Sequence, residues 1–239
     1  MIKTLLLLKA GKLGKVLLTG GTMLLSVIAY SWFFGWWYAV GFVALIFVHE
    51  MGHYVAARQR GLDVGAPTFI PFVGAWVQLK DMPHNAQTEA YVGMAGPLAG
   101  TLAALACFYL ARNYDSQLLL ALAYAGFFLN LFNLIPLSPF DGGRVTAVIS
   151  PKLWLVGVPI LIGLFFYRPS PLLILMALLA APQALKAWKA LRGEQTEEEQ
   201  TYYLASSETR FSYGALYLGL AGFLAVMCHE LQQELPRGF

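Results

Sequence analysis

Long apolar runs, broken by short polar or Pro/Gly-containing segments, dominate this chain. A helix needs roughly 18 or more mostly apolar residues to cross a hydrocarbon core. Runs of that kind predict spans near residues 14–34, 36–58, 88–111, 116–136, 153–168, 170–190 and 211–231. The expected fold is therefore an all-α polytopic membrane protein with about seven transmembrane helices, forming a single integral membrane domain over residues 1–239. Two segments break the helical pattern. "LDVGAPTFIPFVGAWVQLKDMPHNAQ" is rich in β-branched and aromatic residues and punctuated by Gly65, Pro67, Pro71 and Gly74, which predicts a short membrane-associated β-hairpin or strands near 62–80. Such backbone is tolerated at membrane depth only where protein or a water-filled cavity satisfies its polar groups, so it should line a cavity or present an edge to an extended peptide. In "NLFNLIPLSPFDGGRV", Pro136, Pro139, Gly142 and Gly143 forbid a continuous helix around Asp141. The stretch 193–210, "GEQTEEEQTYYLASSETR", reads as a solvated loop, and no internal repeat is evident.

Composition agrees with lipid as the solvent: 58% of residues are hydrophobic, 12% are charged and mean hydropathy is +0.61. A soluble domain would carry about twice that charge. The net charge of +3 is modest and suggests no nucleic-acid partner. Its distribution is more informative. With the amino terminus cytoplasmic, 13 of the 16 Lys and Arg residues fall on the cytoplasmic side, leaving only Arg112, Arg168 and Arg237 opposite. In the opening "MIKTLLLLKAGKLGKVLL", Lys9, Lys12 and Lys15 interrupt the apolar run too early for a cleaved signal. Cys107 and Cys228 lie far apart in apolar runs, with neither zinc spacing nor a disulfide framework, and read as buried free thiols.

The second expected span ends in "VHEMGH", which puts His49, Glu50 and His53 in a run apolar enough for lipid. At about 100° per residue, His53 lies ~40° and Glu50 ~100° around the helix from His49, so all three face one side. Histidines four apart can share one zinc ion, with the glutamate reaching water beside it, the H-E-x-x-H arrangement of zinc hydrolases. Ionisable groups in a span are rare and usually functional, which favours that reading over a chance motif. Two neutral imidazoles leave a divalent cation undercompensated in low dielectric, so an anionic third ligand is expected. Asp141 is the leading candidate, because the alternating direction of the spans returns its hinge to the depth of His49; taken alone, "PFDGG" would also suit a turn or helix cap. A glutamate is the alternative third ligand, although Glu89, Glu194, Glu197, Glu198, Glu199, Glu208, Glu230 and Glu234 lie in loops or near span ends. His84 and His229 read as surface or interfacial residues, and "WFFGWWY" at 32–38 as an interfacial aromatic belt.

Three motifs in order, over roughly residues 40–150, resemble the site-2 protease family of intramembrane zinc metalloproteases. "HEMGH" is similar to that family's zinc-binding helix, "GMAGPLAG" to its Gly-Pro segment, and "NLIPLSPFDGGR" to its Asn-x-x-Pro-x-x-Pro-Leu-Asp-Gly signature. Phe140 stands where leucine is usual and Ser138 where proline is often seen; neither is a ligand position. The resemblance implies one Zn2+ per chain on His49, His53 and Asp141, Glu50 as general base and Asn133 near the substrate carbonyl. It further implies a catalytic core at about 36–150, C-terminal helices over 151–239 without a matched motif, and a minimal core lacking PDZ or CBS domains. The expected activity is hydrolysis of peptide bonds in or near transmembrane segments of membrane-protein substrates, with zinc-bound water as nucleophile and the active site toward the cytoplasmic side. The alternative is a zinc-containing regulatory binder of single-span helices without proteolysis; a metal transporter fits less well, because one site without a second along a path would trap the ion.

Overall fold

The computed structural model describes residues 2–79, 81 and 83–235. Its elements run α1 (Ile2–Phe34), α2 (Trp36–Gln59), β1 (Val64–Ile70), β2 (Gly74–Leu79), α3 (Ala86–Tyr114), α4 (Gln117–Asn133), α5 (Asp141–Ile149), α6 (Trp154–Tyr167), α7 (Pro171–Arg192), α8 (Glu197–Tyr202) and α9 (Ser207–Glu234). Local chemistry marks the boundaries. Gly35, at φ 81°, separates α1 from α2 in a conformation that glycine adopts without a Cβ penalty. Side chains of Asn85, Ser116 and Ser206 accept hydrogen bonds from the first-turn amides of Thr88, Leu119 and Thr209, satisfying donors that a helix start leaves without partners.

Each of the seven expected spans coincides with a helix, but among the described residues five helices are long and apolar enough to cross a membrane: Val16–Phe34, Trp36–Gln59, Ala86–Tyr114, Pro171–Arg192 and Ser207–Glu234. The expected spans at 116–136 and 153–168 correspond to the shorter apolar segments Gln117–Asn133 and Pro151–Tyr167. At 17 residues, α4 reaches only about 25 Å along its axis. Its end is set by the turn through Pro136 and Pro139, which returns the chain into the bundle as α5 rather than out to an interface. Large apolar side chains cover the outside, with Trp32 81% and Trp37 73% exposed, as an aromatic belt requires.

The irregular segment at 62–80 is an antiparallel hairpin, with Ile70 paired to Gly74 and Thr68 to Trp76, and a register shift between Val64 and Pro67. Pro67 cannot donate to a ladder, so it suits an irregular position in the strand. Its carbonyl accepts from Thr19 Oγ1 of α1 at 2.7 Å, tying the hairpin to that helix. At the tip, Phe72 packs edge-on against Tyr30 and Phe33, with its amide donating to Tyr30 Oη at 3.0 Å.

Helix α3 crosses the centre of the bundle, and its Gly-Pro segment explains how. A Cβ on Gly96 would collide with the His53 imidazole, and one on Gly100 with the Asn130 amide. These glycines let α2 and α4 approach α3 closely enough for polar side chains to meet in its grooves. The segment 193–210 differs from the solvated loop expected. It contains α8, whose Tyr202 donates to Glu89 at 2.8 Å, while Tyr203 packs edge-on against Trp154 and Arg210 Nη1 donates to the Ile149 carbonyl at 2.9 Å. Burial, with Glu89 and Glu199 nearby, pushes the Tyr203 hydroxyl up to about 12, so it stays neutral at ordinary pH. Its aromatic residues carry enough apolar surface to dock the loop onto α3 and α5, which a count of its charges does not reveal. Cys228 is buried and Cys107 half-buried, both as free thiols.

Candidate metal centre and active site

His49, Glu50 and His53 lie on the buried face of α2, each less than 7% exposed. Asp141 opens α5, where the Gly142–Gly143 pair permits a tight return: a Cβ on Gly142 would strike the carbonyls of Leu134 and Ile135. The α5 turn is further held by Trp154 Nε1 donating to Gly143 O at 2.8 Å and Thr146 Oγ1 to Gly142 O at 2.7 Å. Asp141 thereby meets both histidines. Its Oδ2 lies 3.1 Å from His49 Nε2 and 3.1 Å from His53 Nε2, and the two Nε2 atoms are 3.1 Å apart.

The other ring nitrogens define what those Nε2 atoms are. His53 Nδ1 faces only a carbonyl acceptor, Val92 O, at 2.7 Å, so it carries a hydrogen. His49 Nδ1 lies 2.8 Å from Asn130 Oδ1, and Asn130 Nδ2 is already donating to Gly126 O at 2.7 Å, so His49 Nδ1 carries a hydrogen too. In the neutral rings both Nε2 atoms are then lone-pair donors aimed at each other and at a carboxylate oxygen. Three such groups repel unless a cation lies among them. A tetrahedral zinc with bonds of ~2.0–2.1 Å spaces its ligand atoms about 3.3 Å apart, close to the separations here, and a nitrogen–nitrogen–oxygen set suits that ion. Among the described residues, His49, His53 and Asp141 are the group whose donor atoms, all within 4.8 Å, could hold a metal. Arg144 Nη1 approaches Asp141 Oδ1 at 4.0 Å on the side away from the histidines' oxygen contact.

Beside the cluster opens a cavity of about 900 Å³, lined by His49, Glu50 and Asn133 together with Tyr30, Phe72 and Phe128 among its many aromatic residues. Gly74 and Ala75 of β2 also line it. Asn133 Nδ2 donates to Leu129 O at 3.0 Å, which leaves its Oδ1 and second amide hydrogen for an occupant of the cavity. His84 and His229 are exposed, the latter 2.9 Å from Gln233 Nε2, and neither joins the cluster. Asn130 was not among the residues singled out from sequence, because the motif resemblance directs attention to Asn133. The available signal was a second amide in the apolar run "GFFLNLF", since polar groups at membrane depth are uncommon without a partner.

A bundle of apolar helices thus buries a His-x-x-x-His face against an aspartate from a distant turn, with a carboxylate on the adjoining cavity wall. Comparison with known proteins finds similarity to zinc metalloproteases. Residues 37–115 match the model of Peptidase family M50. The chain is 29% identical over 133 residues to a zinc metalloprotease of Methanocaldococcus jannaschii, covering 54% of this chain and 38% of that protein. It is 32% identical over 123 residues to a Mycobacterium tuberculosis protein named as the zinc metalloprotease Rip3, covering 48% of this chain and 31% of that protein. A chloroplast protein of Arabidopsis thaliana named as the zinc metalloprotease EGY1 is 31% identical over 75 residues, 29% of this chain and 14% of that protein. The resemblance to the site-2 protease family is borne out, and the matches span well under half the length of these curated relatives.

Proposed function

We propose that this chain is an intramembrane zinc metalloprotease, hydrolysing peptide bonds in or near transmembrane segments of membrane-protein substrates. The observation that carries the reading is the convergence of the His49, His53 and Asp141 donor atoms within 4.8 Å, beside a cavity on whose wall Glu50 stands. His49, His53 and Asp141 would hold the ion, one per chain. When bound, zinc supplies Lewis acidity, polarising a carbonyl and bringing the pKa of water to ~7. Glu50 takes the proton from attacking water and returns it to the leaving amine. Asn133, on the same cavity wall, donates to the developing oxyanion or holds the substrate backbone. A transmembrane substrate has its amides bonded internally and must unwind locally to present a carbonyl. Among the described residues β2 pairs with β1 alone, and its Gly74 and Ala75 meet the cavity, so strand addition at its other edge would receive the unwound segment. The catalytic core lies at about 36–150.

A zinc-containing binder of single-span helices has no use for a carboxylate beside the metal, and Glu50 therefore favours the enzyme. The test is cleavage of single-span substrates carrying helix-breaking residues near the membrane interface, by purified protein in detergent. Cleavage should stop on chelation and return with zinc, and metal analysis should find about one zinc per chain. Zinc-loaded protein that binds several such substrates and cuts none would favour the binder.

We further propose that the amino-terminal end of α1 and the metal centre lie toward the cytoplasm. The 13-to-3 distribution of Lys and Arg supports this reading; Arg60, just after α2, lies 4.0 Å above the Tyr91 ring near the start of α3, and Arg210 near the start of α9 donates to Ile149 at the end of α5. Arg112 pairs with Glu234, from the carboxyl-terminal ends of α3 and α9. A single cysteine introduced near residue 195 should be labelled only from the cytoplasmic side; labelling only from outside would invert the orientation.

A further inference from the structure

We propose that Asn130 is a positioning residue for the metal centre, holding His49 in the one tautomer and ring orientation that turn its Nε2 lone pair toward His53 and Asp141. This rests on the zinc reading above and adds a residue outside the three motifs. Asn130 is 1% exposed and makes two side-chain hydrogen bonds that divide its amide unambiguously. Nδ2 donates to Gly126 O at 2.7 Å, which orients Oδ1, and Oδ1 then accepts from His49 Nδ1–H at 2.8 Å. A hydrogen on Nδ1 leaves Nε2 bare in the neutral ring. His53 obtains the same bias from a fixed main-chain group, Val92 O, whereas His49 depends on a side chain carried by another helix. Space for that amide exists because position 100 of α3 has no Cβ: one placed there would overlap Asn130 Oδ1 and Nδ2. Gly100, Asn130 and His49 thus form a chain of contacts from α3 through α4 to α2.

A purely structural amide, satisfied by Gly126 and packed in the core, would also be buried. The two roles separate in metal affinity and tautomer. Loss of an outer partner of a histidine ligand typically weakens metal binding ~10–100-fold. Zinc competition against a chromogenic chelator, on full-length protein in detergent, should show that loss for Asn130→Leu, with helical content and thermal unfolding close to the parent. Asn130→Asp keeps an oxygen acceptor for His49 Nδ1–H and should restore affinity to within about threefold of the parent. Nitrogen-15 shifts of labelled histidine should place the His49 hydrogen on Nδ1 in the metal-free parent and show a tautomer mixture in Asn130→Leu. Parental affinity in Asn130→Leu, or failure of Asn130→Asp to recover it, would overturn the inference. If Asn130→Leu does not fold, Gly100→Ala decides the matter, because it displaces the amide without removing it: weakened zinc binding supports the role, and unchanged binding overturns it. His49→Ala, measured in parallel, keeps the two readings apart. Zinc lost in His49→Ala but retained in Asn130→Leu sinks only the Asn130 role, whereas a parent without zinc sinks the metal centre itself.

Discussion

Glu50→Gln protein should retain its zinc and fold yet cut a single-span substrate at least ~100-fold more slowly than the parent. The substitution keeps the size of the side chain and its ability to hydrogen-bond, and removes only the carboxylate that accepts a proton. General acid–base catalysis contributes typically ~10²–10⁴ in rate, so the loss should fall in that range. Glu50 belongs to α2, whose position is set by packing against α3, with Gly52 seated against Ala95 of α3. An isosteric change on the cavity wall leaves those contacts alone. Uncut substrate should remain bound to the variant and be recoverable with it by affinity capture. Equal cleavage by parent and variant would exclude Glu50 as the base and point to another group or to a contaminating protease.

Asp141→Ala should depress zinc occupancy more than any outer-sphere change, beyond the ~10–100-fold that loss of a partner to a ligand entails. The carboxylate is the anionic member of the set, with Oδ2 at 3.1 Å from both histidine Nε2 atoms. Without it, the divalent ion faces two neutral imidazoles in a buried site, with the guanidinium of Arg144 nearby. Those charges then repel without a counterion. His84→Ala and His229→Ala alter exposed residues away from the cluster and should leave the metal content unchanged. Metal analysis of the four purified proteins checks the assignment; parental zinc in Asp141→Ala would remove Asp141 from the ligand set.

Much of the architecture follows from one-dimensional patterns. Each of the seven apolar runs becomes a helix, and the Pro/Gly-punctuated β-branched stretch becomes the hairpin, because backbone groups in an apolar setting must be satisfied within the segment or its immediate neighbour. The His49–Glu50–His53 face follows from helical periodicity alone. Two of the seven helices nevertheless fall short of a full span. Hydropathy is continuous from Gln117 past Asn133, but the return of α5 into the bundle depends on Gly142 fitting against the carbonyls of Leu134 and Ile135, and Gly143 against the Leu137–Ser138 peptide, contacts between backbones that hydropathy does not encode. The loop at 193–210 shows the same limit. Its charges read as solvation, while Tyr202, Tyr203 and Arg210 dock it through partners more than 60 residues away or on other elements.

The sequence by itself determined the lipid-facing helices, the single face carrying two histidines and a glutamate, and the need for an anionic partner, because these depend on local periodicity and on the charge of a few side chains. Only the tertiary structure decided that Asp141 meets both histidines at 3.1 Å, that Asn130 accepts a hydrogen bond from His49 Nδ1, and that Gly96 and Gly100 make room for a ring and an amide. The physical reason is that His49, Asn130 and Asp141 sit on three different helices. Whether their polar atoms meet within hydrogen-bonding distance is set by how closely those helices approach, and that approach is controlled to fractions of an ångström by the absence of a Cβ at particular positions on a fourth.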